Sequence, residues 1–358
     1  MHSMDRSERV NAFVDEIWSW YARNKRSLPW RDLKIKDDAE RAYRILVSEV
    51  MLQQTQVPRV IVIFRRFLEA FPRLQDLARA SNRDVLIAWR GMGYNSRALR
   101  LRDAARTILE DFGGVFPKDM ESLCSIKGIG DYTAAAIRNF AFGIPTPCLD
   151  TNIRRVLHRT FVGMENADGT WEKDDKYLLR LAEEVLEAAL CSPRAFAGGE
   201  RREASPFVHL RRTQSRRAVV TAAWHSALMD FGSLVQAKRN PKWDICPLTK
   251  SGICKAWNGK KSVMLSGAPK GRRRSTQHTK REPGRFVGAA FIPNRIFRGK
   301  IVEELRDSKR GLPLSELGKR VCLDWNFPQH QQWLRGVLKK LKADALVEEK
   351  RGLYVLKL

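Results

Sequence analysis

The pattern of hydrophobic and polar positions is helical through most of the first half of the chain. From about residue 8 to residue 190, apolar residues recur three and four positions apart, which is the spacing of one helix face. Period-two alternation, the pattern of a half-buried strand, does not occur before the last residues. The sequence therefore predicts an all-α body, with helices near residues 42–54, 60–71, 82–91, 96–112 and 177–190.

The last part of the chain, residues 286–358, predicts a small module of another kind. Three periodic segments indicate helices, and residues 345–358 have the pattern of a hairpin around Lys350-Arg351-Gly352. Three helices followed by a β wing are typical of a winged helix. Such modules can be structural or can bind proteins, but basic residues favour duplex binding here because phosphate neutralisation drives affinity. The helices are predicted at 296–309, 314–321 and 329–341, and the basic residues are Arg335, Lys339, Lys340 and Lys342.

Two polar segments interrupt the helical pattern. Residues 192–217 are rich in Gly, Ser, Pro and Arg, and we interpret them as a mobile insertion in a helical domain that runs from residue 8 to 258. Residues 259–285 carry nine basic residues against one acidic residue, Glu282, and contain little that could pack. We interpret this second segment as a basic linker before the C-terminal module.

The net charge of the chain indicates what kind of partner it binds. Lys and Arg number 66 against 40 Asp and Glu, which gives a formal net charge of +26. Such a balance favours a polyanionic partner, first nucleic acid and second an acidic membrane surface. No apolar run is long enough to span a membrane, the first residues lack a signal-peptide core, and six scattered cysteines do not resemble a secreted disulfide framework. We therefore expect an intracellular protein of the cytoplasm or nucleoid. Composition alone does not distinguish an enzyme from a protein that only binds nucleic acid.

Residues 125–137 predict a helix, a two-glycine turn and a second helix. Gly128 and Gly130 allow a tight turn and leave the backbone amides uncovered. Those amides lie at the positive end of the second helix, where they can hold one DNA phosphate. Two-glycine turns between helices are common, but the small residues that follow Tyr132 add specificity because they allow the two helices to pack closely.

Asp150 has two compatible interpretations. It precedes Thr151 and a helical pattern, so it is a candidate helix N-cap, a role that Asp and Thr often play. A helix N-terminus also keeps a carboxylate ionised, which suits a catalytic role.

Glu49 is a second candidate carboxylate. Its neighbours at three- and four-residue spacing include Ile45, Leu46 and Leu52, so it lies on the apolar side of its helix. Burial raises a carboxyl pKa and would suit Glu49 to donating a proton. The structural alternative is a buried ion pair with an arginine such as Arg31.

Several motifs, in matching order and spacing, resemble MutY-type adenine DNA glycosylases of the helix-hairpin-helix superfamily, which also includes endonuclease III and thymine mismatch glycosylases. The resemblance runs from about residue 8 to 258. It implies a two-lobed helical fold with the active site in the cleft between lobes, into which the target base is flipped. The motifs are Leu28-Pro29-Trp30-Arg31, Ser48-Glu49-Val50-Met51-Leu52-Gln53-Gln54-Thr55-Gln56-Val57, Gly91-Met92-Gly93-Tyr94, the glycine hairpin with Tyr132, and Leu149-Asp150-Thr151-Asn152.

The resemblance assigns chemical roles to three residues. Glu49 protonates the departing purine at adenine N7, and Asp150 stabilises the positive charge that develops on the deoxyribose or traps it transiently. Tyr132 hydrogen-bonds within the pocket. Lyase-competent relatives have lysine at that position, whose amine forms a Schiff base with the sugar. Tyr132 cannot form one, so the resemblance implies a monofunctional glycosylase that leaves an abasic site.

The resemblance also identifies residues that contact DNA. Gln54 and Tyr94 match residues that wedge into the base stack and fill the space beside the opposite base, where aromatic stacking contributes about 1–3 kcal/mol per base. The implied substrate is double-stranded DNA with adenine opposite 8-oxoguanine or guanine, bound by a monomer. Further expected DNA contacts are Lys127, Gly128, Gly130, Asn152, Lys238 and Arg239, and the expected pocket residues are Trp30 and Arg31.

The sequence departs from this family at the iron–sulfur site. Most relatives hold a four-iron, four-sulfur cluster with four cysteines, but Gln236 and Trp243 occupy the first two positions here. Cys246 and Cys254 remain, at a spacing two residues longer than the pattern. We therefore expect no iron–sulfur cluster, with packing of Trp243 in its place. A zinc site on these two cysteines is disfavoured because no His lies nearby in sequence.

The C-terminal module is the second departure and leaves other functions open. MutY proteins typically end in a β-rich domain that recognises 8-oxoguanine, whereas residues 286–358 predict a winged helix. One rival function is a glycosylase that removes thymine or uracil from mismatches with guanine. Another is a DNA-binding protein without catalysis, which the joint presence of Glu49, Tyr132 and Asp150 disfavours. Residues 53–56, Gln-Gln-Thr-Gln, favour the adenine enzyme over the first rival.

Overall fold

The chain folds into two compact units, each assembled from separate stretches of sequence. A computed structural model describes residues 4–31, 33, 35–166, 168–196, 214–257, 283–308 and 310–357. The first unit takes its described residues from 1–46, 117–125 and 129–270, and the second from 47–116, 126–128 and 271–358. Most of the predicted insertion (192–217) and of the predicted linker (259–285) lies outside the described residues.

The described residues are mostly helical, as the apolar periodicity predicts. None of their helices is long and apolar enough to cross a membrane. The helices are α1 (Arg6–Asn24), α2 (Asp38–Leu52), α3 (Val57–Ala70), α4 (Leu74–Arg79), α5 (Asn82–Ala88), α6 (Ser96–Asp111), α7 (Met120–Ser125), α8 (Asp131–Ile137), α9 (Thr151–Phe161), α10 (Asp175–Cys191), α11 (Gln214–Leu234), α12 (Pro247–Lys250), α13 (Asn294–Asp307), α14 (Leu314–Val321) and α15 (Phe327–Ala343). The strands are β1 (Gly284–Val287), β2 (Ala290–Pro293), β3 (Leu312–Pro313), β4 (Val347–Lys350) and β5 (Leu353–Leu356).

The first unit is built around an aromatic core that joins distant parts of the sequence. Helix α1 begins at a capping box in which Asp5 accepts from the Glu8 amide and Glu8 accepts from the Asp5 amide. Its buried face packs against α10 and α11. The rings of Trp18 and Trp224 lie 5.3 Å apart, and those of Phe13 and Phe161 lie 5.2 Å apart. Aromatic pairs at such distances stabilise a core beyond their buried area alone.

The second unit contains a helical lobe formed by α3 to α6. Trp89 is fully buried at the end of α5, and its ring packs edge-on against Phe67 of α3 at 5.7 Å. The ring nitrogen of Trp89 donates to the Gly93 carbonyl at 3.1 Å. The lobe core thereby fixes the backbone of the loop that precedes α6.

The second unit also contains the C-terminal module, whose winged-helix prediction is confirmed. Helices α13, α14 and α15 bury a common apolar core, and the three-stranded antiparallel sheet has the order β3-β5-β4. The wing turns at Arg351 and Gly352, which both have positive φ, as a two-residue hairpin turn requires. The sequence did not predict the preceding β1–β2 hairpin, part of which falls in the segment interpreted as a linker.

The C-terminal module is attached to the helical lobe by polar contacts. Arg90 forms an ion pair with Asp307 at the end of α13, and Arg83 donates to the Arg306 carbonyl at 3.1 Å. Both arginines flank or belong to α5, which lies beside α13. The module and the lobe therefore share one compact unit.

Candidate functional site

Asp150 is held at the N-terminus of α9 by three hydrogen bonds. Its carboxylate accepts from the backbone amides of Asn152 (2.9 Å) and Ile153 (2.6 Å), and from the Asn152 side-chain amide (2.7 Å). The predicted N-cap position is confirmed. Burial raises the pKa of Asp150 above its usual value, while these hydrogen bonds and the charge of Arg155 act in the opposite direction. The carboxylate is fixed in one orientation at the positive end of a helix.

Arg155 orients the side chain of Asn152. Its guanidinium donates to the Asn152 side-chain carbonyl (2.7 Å) and to the Gly232 carbonyl (2.7 Å). The side-chain amide of Asn152 is thus engaged at both ends by the protein, since its nitrogen donates to Asp150. Gly232 is required here because an added Cβ would lie 2.7 Å from the Asn152 Cβ. Arg155 gives no signal in the sequence as a functional residue, because its partners on α11 and beyond are remote in the chain.

Glu49 lies on the buried side of α2, as its spacing predicts. Its exposed fraction is 7 %, and its neighbour Ser48 is fully buried. The structure therefore places this carboxyl group largely out of contact with bulk water.

Arg31, predicted to line the pocket, forms an ion pair with Asp230 of α11. The Arg31 guanidinium lies 2.8 Å from one carboxylate oxygen of Asp230, and the Arg26 guanidinium lies 2.6 Å from the other. Asp230 is fully buried, and its two arginines are partly exposed. Trp30, the other expected pocket residue, has an exposed fraction of 4 %. The Asp230 cluster fixes the loop that carries both residues, and sequence reasoning did not predict this cluster.

The two-glycine turn has the predicted form. Gly128 has φ +104°, a conformation that favours glycine, and Gly130 is the N-cap of α8. Lys127 is exposed, and Tyr132 is half-buried against the apolar core of the first unit. An added Cβ on Gly128 would lie 3.5 Å from the Arg100 carbonyl oxygen. Exposed amides and an exposed lysine therefore lie together at this turn.

Gln54 and Tyr94 lie at the tips of two loops and are both exposed. Each has a left-handed backbone conformation, with φ +54° at Gln54 and +48° at Tyr94, which is uncommon for residues other than glycine. Such strain is stored where the surrounding structure fixes it, often at functional sites. The two residues predicted to enter the DNA stack are the two in this lobe with strained backbones.

A buried arginine joins these two loops. The Arg97 guanidinium donates to the Val50 carbonyl (3.0 Å), to Thr55 Oγ1 (3.1 Å) and to the Met92 carbonyl (3.4 Å), and it also binds the Gln53 carbonyl. It stacks on the Tyr94 ring, with 5.4 Å to the ring centroid. Burial lowers the pKa of Arg97 from its usual value. Sequence reasoning missed this residue because its partners are mostly backbone carbonyls.

The segment that matches the cluster loop is filled by side chains. Gln236 is fully buried, and its side-chain nitrogen lies 3.8 Å from Cys246 Sγ and 3.9 Å from Cys254 Sγ. Trp243 covers this region, with Arg159 stacked on its ring at 5.4 Å. Burial raises the pKa of the Cys254 thiol to about 12.

These residues do not fit an iron–sulfur cluster. An amide and an indole stand where two thiolates would be needed, and the Gln236 amide lies within 4 Å of both remaining sulfurs. Across the described part of the chain, no three His, Cys, Asp or Glu residues are grouped so as to hold a metal ion. Lys238 and Arg239 lie exposed on the adjoining loop, where they remain available to an anionic partner.

Comparison with known proteins gives one consistent family. Residues 47–187 match the HhH-GPD superfamily base excision DNA repair protein. The chain is 31% identical over 332 residues to the adenine DNA glycosylase of Mycobacterium tuberculosis, covering 92% of this chain and 88% of that protein. It is 32% identical over 302 residues to the adenine DNA glycosylase of Mycolicibacterium smegmatis, covering 84% of this chain and 83% of that protein.

Mammalian relatives are similar over a smaller part of their length. The mouse adenine DNA glycosylase is 36% identical over 264 residues, which cover 73% of this chain and 44% of that protein. The chain thus spans less than half the length of this relative.

Solved structures are similar in fold. A thermostable thymine-DNA glycosylase superposes with a TM-score of 0.53 at 24% identity, over 69% of this chain and 95% of that one. Endonuclease III in a non-covalent DNA complex superposes with a TM-score of 0.51 at 17% identity, over 70% of this chain and 96% of that one. These likenesses confirm the helix-hairpin-helix glycosylase fold.

Proposed function

Since the chain belongs to the adenine DNA glycosylase family of the helix-hairpin-helix superfamily, we propose that it excises mispaired adenine from DNA in base excision repair. The substrate is double-stranded DNA with adenine opposite 8-oxoguanine or guanine, and the bond hydrolysed is the N-glycosidic bond. The match to the Mycobacterium tuberculosis adenine DNA glycosylase over 88% of that protein carries this proposal. The enzyme acts as a monomer inside the cell, where its DNA substrate is.

The two carboxylates act in complementary ways. Buried Glu49 gives a proton to the departing adenine, so that the base leaves as a neutral molecule. Asp150 stabilises the positive charge that develops on the deoxyribose. Its three hydrogen bonds support this role, because a carboxylate already oriented needs no reorganisation when the charge appears.

Tyr132 makes the enzyme monofunctional. Its phenol has no amine to form a Schiff base with the sugar, so the product is an intact strand with an abasic site. The chemistry therefore ends at base release.

Duplex DNA is held by exposed groups that the fold presents. The amides of the two-glycine turn and Lys127 contact the phosphate backbone, and Lys238 and Arg239 contact it from the loop after α11. Gln54 and Tyr94 enter the base stack on the strained loops that Arg97 holds. These contacts keep the duplex open while the target adenine lies in the pocket.

We also propose that catalysis proceeds without an iron–sulfur cluster. Gln236 takes the place of a ligand between the two sulfurs, and Trp243 packs where the second ligand would lie. Purified protein should then contain less than stoichiometric iron and show no brown chromophore. Stoichiometric iron with visible absorption would refute this part of the proposal.

A mismatch panel tests the proposed reaction. Duplexes that contain adenine opposite 8-oxoguanine, adenine opposite guanine, thymine opposite guanine and uracil opposite guanine are incubated with the protein, and base release is measured. Release of adenine alone is expected. Release only of thymine or uracil would instead support the mismatch glycosylase, and binding without release of any base would support the non-catalytic DNA-binding protein.

Two variants test the roles of the carboxylates. Glu49→Gln and Asp150→Asn should each slow adenine release by at least about 100-fold, the scale of a lost acid or electrostatic stabiliser. Glu183→Gln, an exposed carboxylate on α10, is the matched control and should leave the rate unchanged. If either active-site variant excises adenine at the wild-type rate, the role given to that residue is wrong.

A further inference from the structure

A cavity of about 760 Å³ lies in the second unit, between the helical lobe and the C-terminal module. One wall is formed by the strained loops at residues 54–56 and 92–96. The other wall is formed by α13 between residues 295 and 303, and Leu341 and Leu346 also line the cavity. We name this cavity the α13 groove. Gln54 and Tyr94 both line it, so it adjoins the two residues proposed to enter the DNA stack.

The α13 groove is positively charged. Four basic residues and one carboxylate, Glu303, line it. Arg298 is paired with Asp344, whereas Lys300 and Arg59 are exposed and form no ion pair with another described residue. Uncompensated cations beside a cleft attract a polyanion and gain affinity by releasing its counterions. The four basic residues that line the groove, paired or not, are Arg59, Arg295, Arg298 and Lys300.

Gly299 lies in the middle of α13, on the wall of this groove. Glycine inside a helix is less favourable than alanine by about 1 kcal/mol. Nothing in the structure requires it here, because an added Cβ would have no atom within 4 Å and the backbone has no positive φ. A side chain at this position would point into open space of the groove. The absence of a side chain leaves this wall of the groove open to the close approach of a bound molecule.

Both walls of the groove are held in place. Arg97 fixes the loop wall through its bonds to residues 50–55 and 92. The ion pair of Arg90 with Asp307 and the bond from Arg83 fix α13 against the lobe. Preset walls reduce the entropy that a ligand must overcome on binding.

We propose that the α13 groove binds the DNA strand opposite the target base, with its phosphates on Lys300 and Arg59. The inference rests on the proposed function, because Gln54 and Tyr94 reach this strand only if the target base is flipped. On this view the C-terminal module presents the first of its three helices to DNA. The third helix, α15, whose place in a winged helix predicts duplex contact, contributes only Leu341 to the lining of the groove.

Two glycines provide a matched steric test. Gly336, in the middle of α15, resembles Gly299 in that an added Cβ would have nothing within 4 Å. Gly299→Trp fills the α13 groove, and Gly336→Trp places the same side chain outside it. Binding is measured by fluorescence anisotropy with a duplex that carries a tetrahydrofuran abasic analogue opposite guanine. Gly299→Trp should weaken binding at least tenfold and Gly336→Trp less than twofold. Equal losses, or the larger loss from Gly336→Trp, would overturn the proposal.

Two lysines provide a matched electrostatic test that does not depend on the steric one. Lys300→Glu changes the groove, and Lys339→Glu changes the exposed face of α15 by the same charge. The log of the affinity decreases linearly with the log of the salt concentration. The magnitude of this negative slope should decrease by about one for Lys300→Glu, the value for one lost phosphate contact. It should stay unchanged for Lys339→Glu. The opposite result would assign duplex binding to α15 and overturn the proposal.

The binding assay separates this inference from the proposed function. The abasic analogue is not a substrate, so the measured affinity does not depend on catalysis. Wild-type protein that binds this duplex but releases no adenine from the mismatch panel would refute the proposed reaction. If the wild-type protein releases adenine but the groove variants bind this duplex as tightly as their controls, the proposed DNA site in the α13 groove is refuted and the proposed reaction is not.

Discussion

Replacing Arg97 with Met tests whether one buried guanidinium holds the two strained loops of the second unit. Met keeps a flexible, unbranched chain that can fill the same space, but it has no donor. The substitution removes the bonds to the Val50 carbonyl (3.0 Å), Thr55 Oγ1 (3.1 Å) and the Met92 carbonyl (3.4 Å), and the bond to the Gln53 carbonyl. It also removes the ring contact with Tyr94.

The size of the effect follows from these contacts. A hydrogen bond from a charged donor contributes about 1.5–3 kcal/mol in favourable cases. Burial of the Arg97 guanidinium, which lowers its pKa, offsets part of this gain. With about 1 kcal/mol net for each of these four bonds, the free energy of unfolding should fall by about 4 kcal/mol.

DNA binding should fall as well. The left-handed conformations at Gln54 and Tyr94 are strained by about 1–3 kcal/mol each, so the loops relax once Arg97 no longer fixes them. Reforming one of these conformations on the DNA would then cost about 1.4 kcal/mol or more, which is a tenfold loss of affinity. Urea unfolding measures the first effect, and anisotropy with the abasic duplex measures the second.

Arg100→Met is the matched control for Arg97→Met. Arg100 lies on the same helix, is exposed, and makes one long bond to the Ser96 carbonyl (3.4 Å). Its replacement should change the free energy of unfolding by less than about 0.5 kcal/mol. If Arg97→Met is as stable and binds as tightly as Arg100→Met, the reasoning about the two loops is refuted.

Two further predictions concern buried groups of the first unit. Asp230→Asn leaves two arginines without their carboxylate and should lower the free energy of unfolding, measured by urea titration, by about 2–4 kcal/mol. The control is Asp244→Asn, which changes an exposed carboxylate. An unchanged urea midpoint for Asp230→Asn would contradict the prediction. Burial lowers the pKa of His225 to about 4 from 6.5. The unfolded chain therefore binds the extra proton first, and stability should fall by up to about 1.4 kcal/mol per pH unit as the pH drops from 6.5 to 4. His225→Gln should reduce that slope, and an identical slope would contradict the assignment.

Periodicity was enough to predict most helices and the wing, but not every element. Helix α11 is the main omission, and its apolar residues are distributed all round rather than on one face. Trp224 is buried while Val219 is exposed, so no amphipathic period marks this helix. The β1–β2 hairpin was missed because Phe286 and Phe291 are exposed and follow a basic segment, and neither strand has an alternating pattern of burial.

The candidate site was predictable where chemistry is local in sequence. Asp150 caps a helix that begins at the next residue, so its position followed from the motif alone. The groups that orient it did not follow, because Arg155 acts on the Gly232 carbonyl, 77 positions away in the chain. Asp230 and Arg31 are separated by 199 positions. Pairs of residues so far apart in the chain produce no recognisable motif spacing in a single sequence.

The discontinuous first unit has a consequence for synthesis on the ribosome. Helix α1 is made before α11, and Trp18 packs against Trp224, which is made about two hundred residues later. At about 5–20 residues per second, the apolar face of α1 waits on the order of ten seconds or more for α11. Residues 47–116, which include the lobe formed by α3 to α6, are contiguous and are all made within that interval. The nascent chain therefore exposes the apolar face of α1, with Trp18 and Trp20, after the residues of the helical lobe have been made.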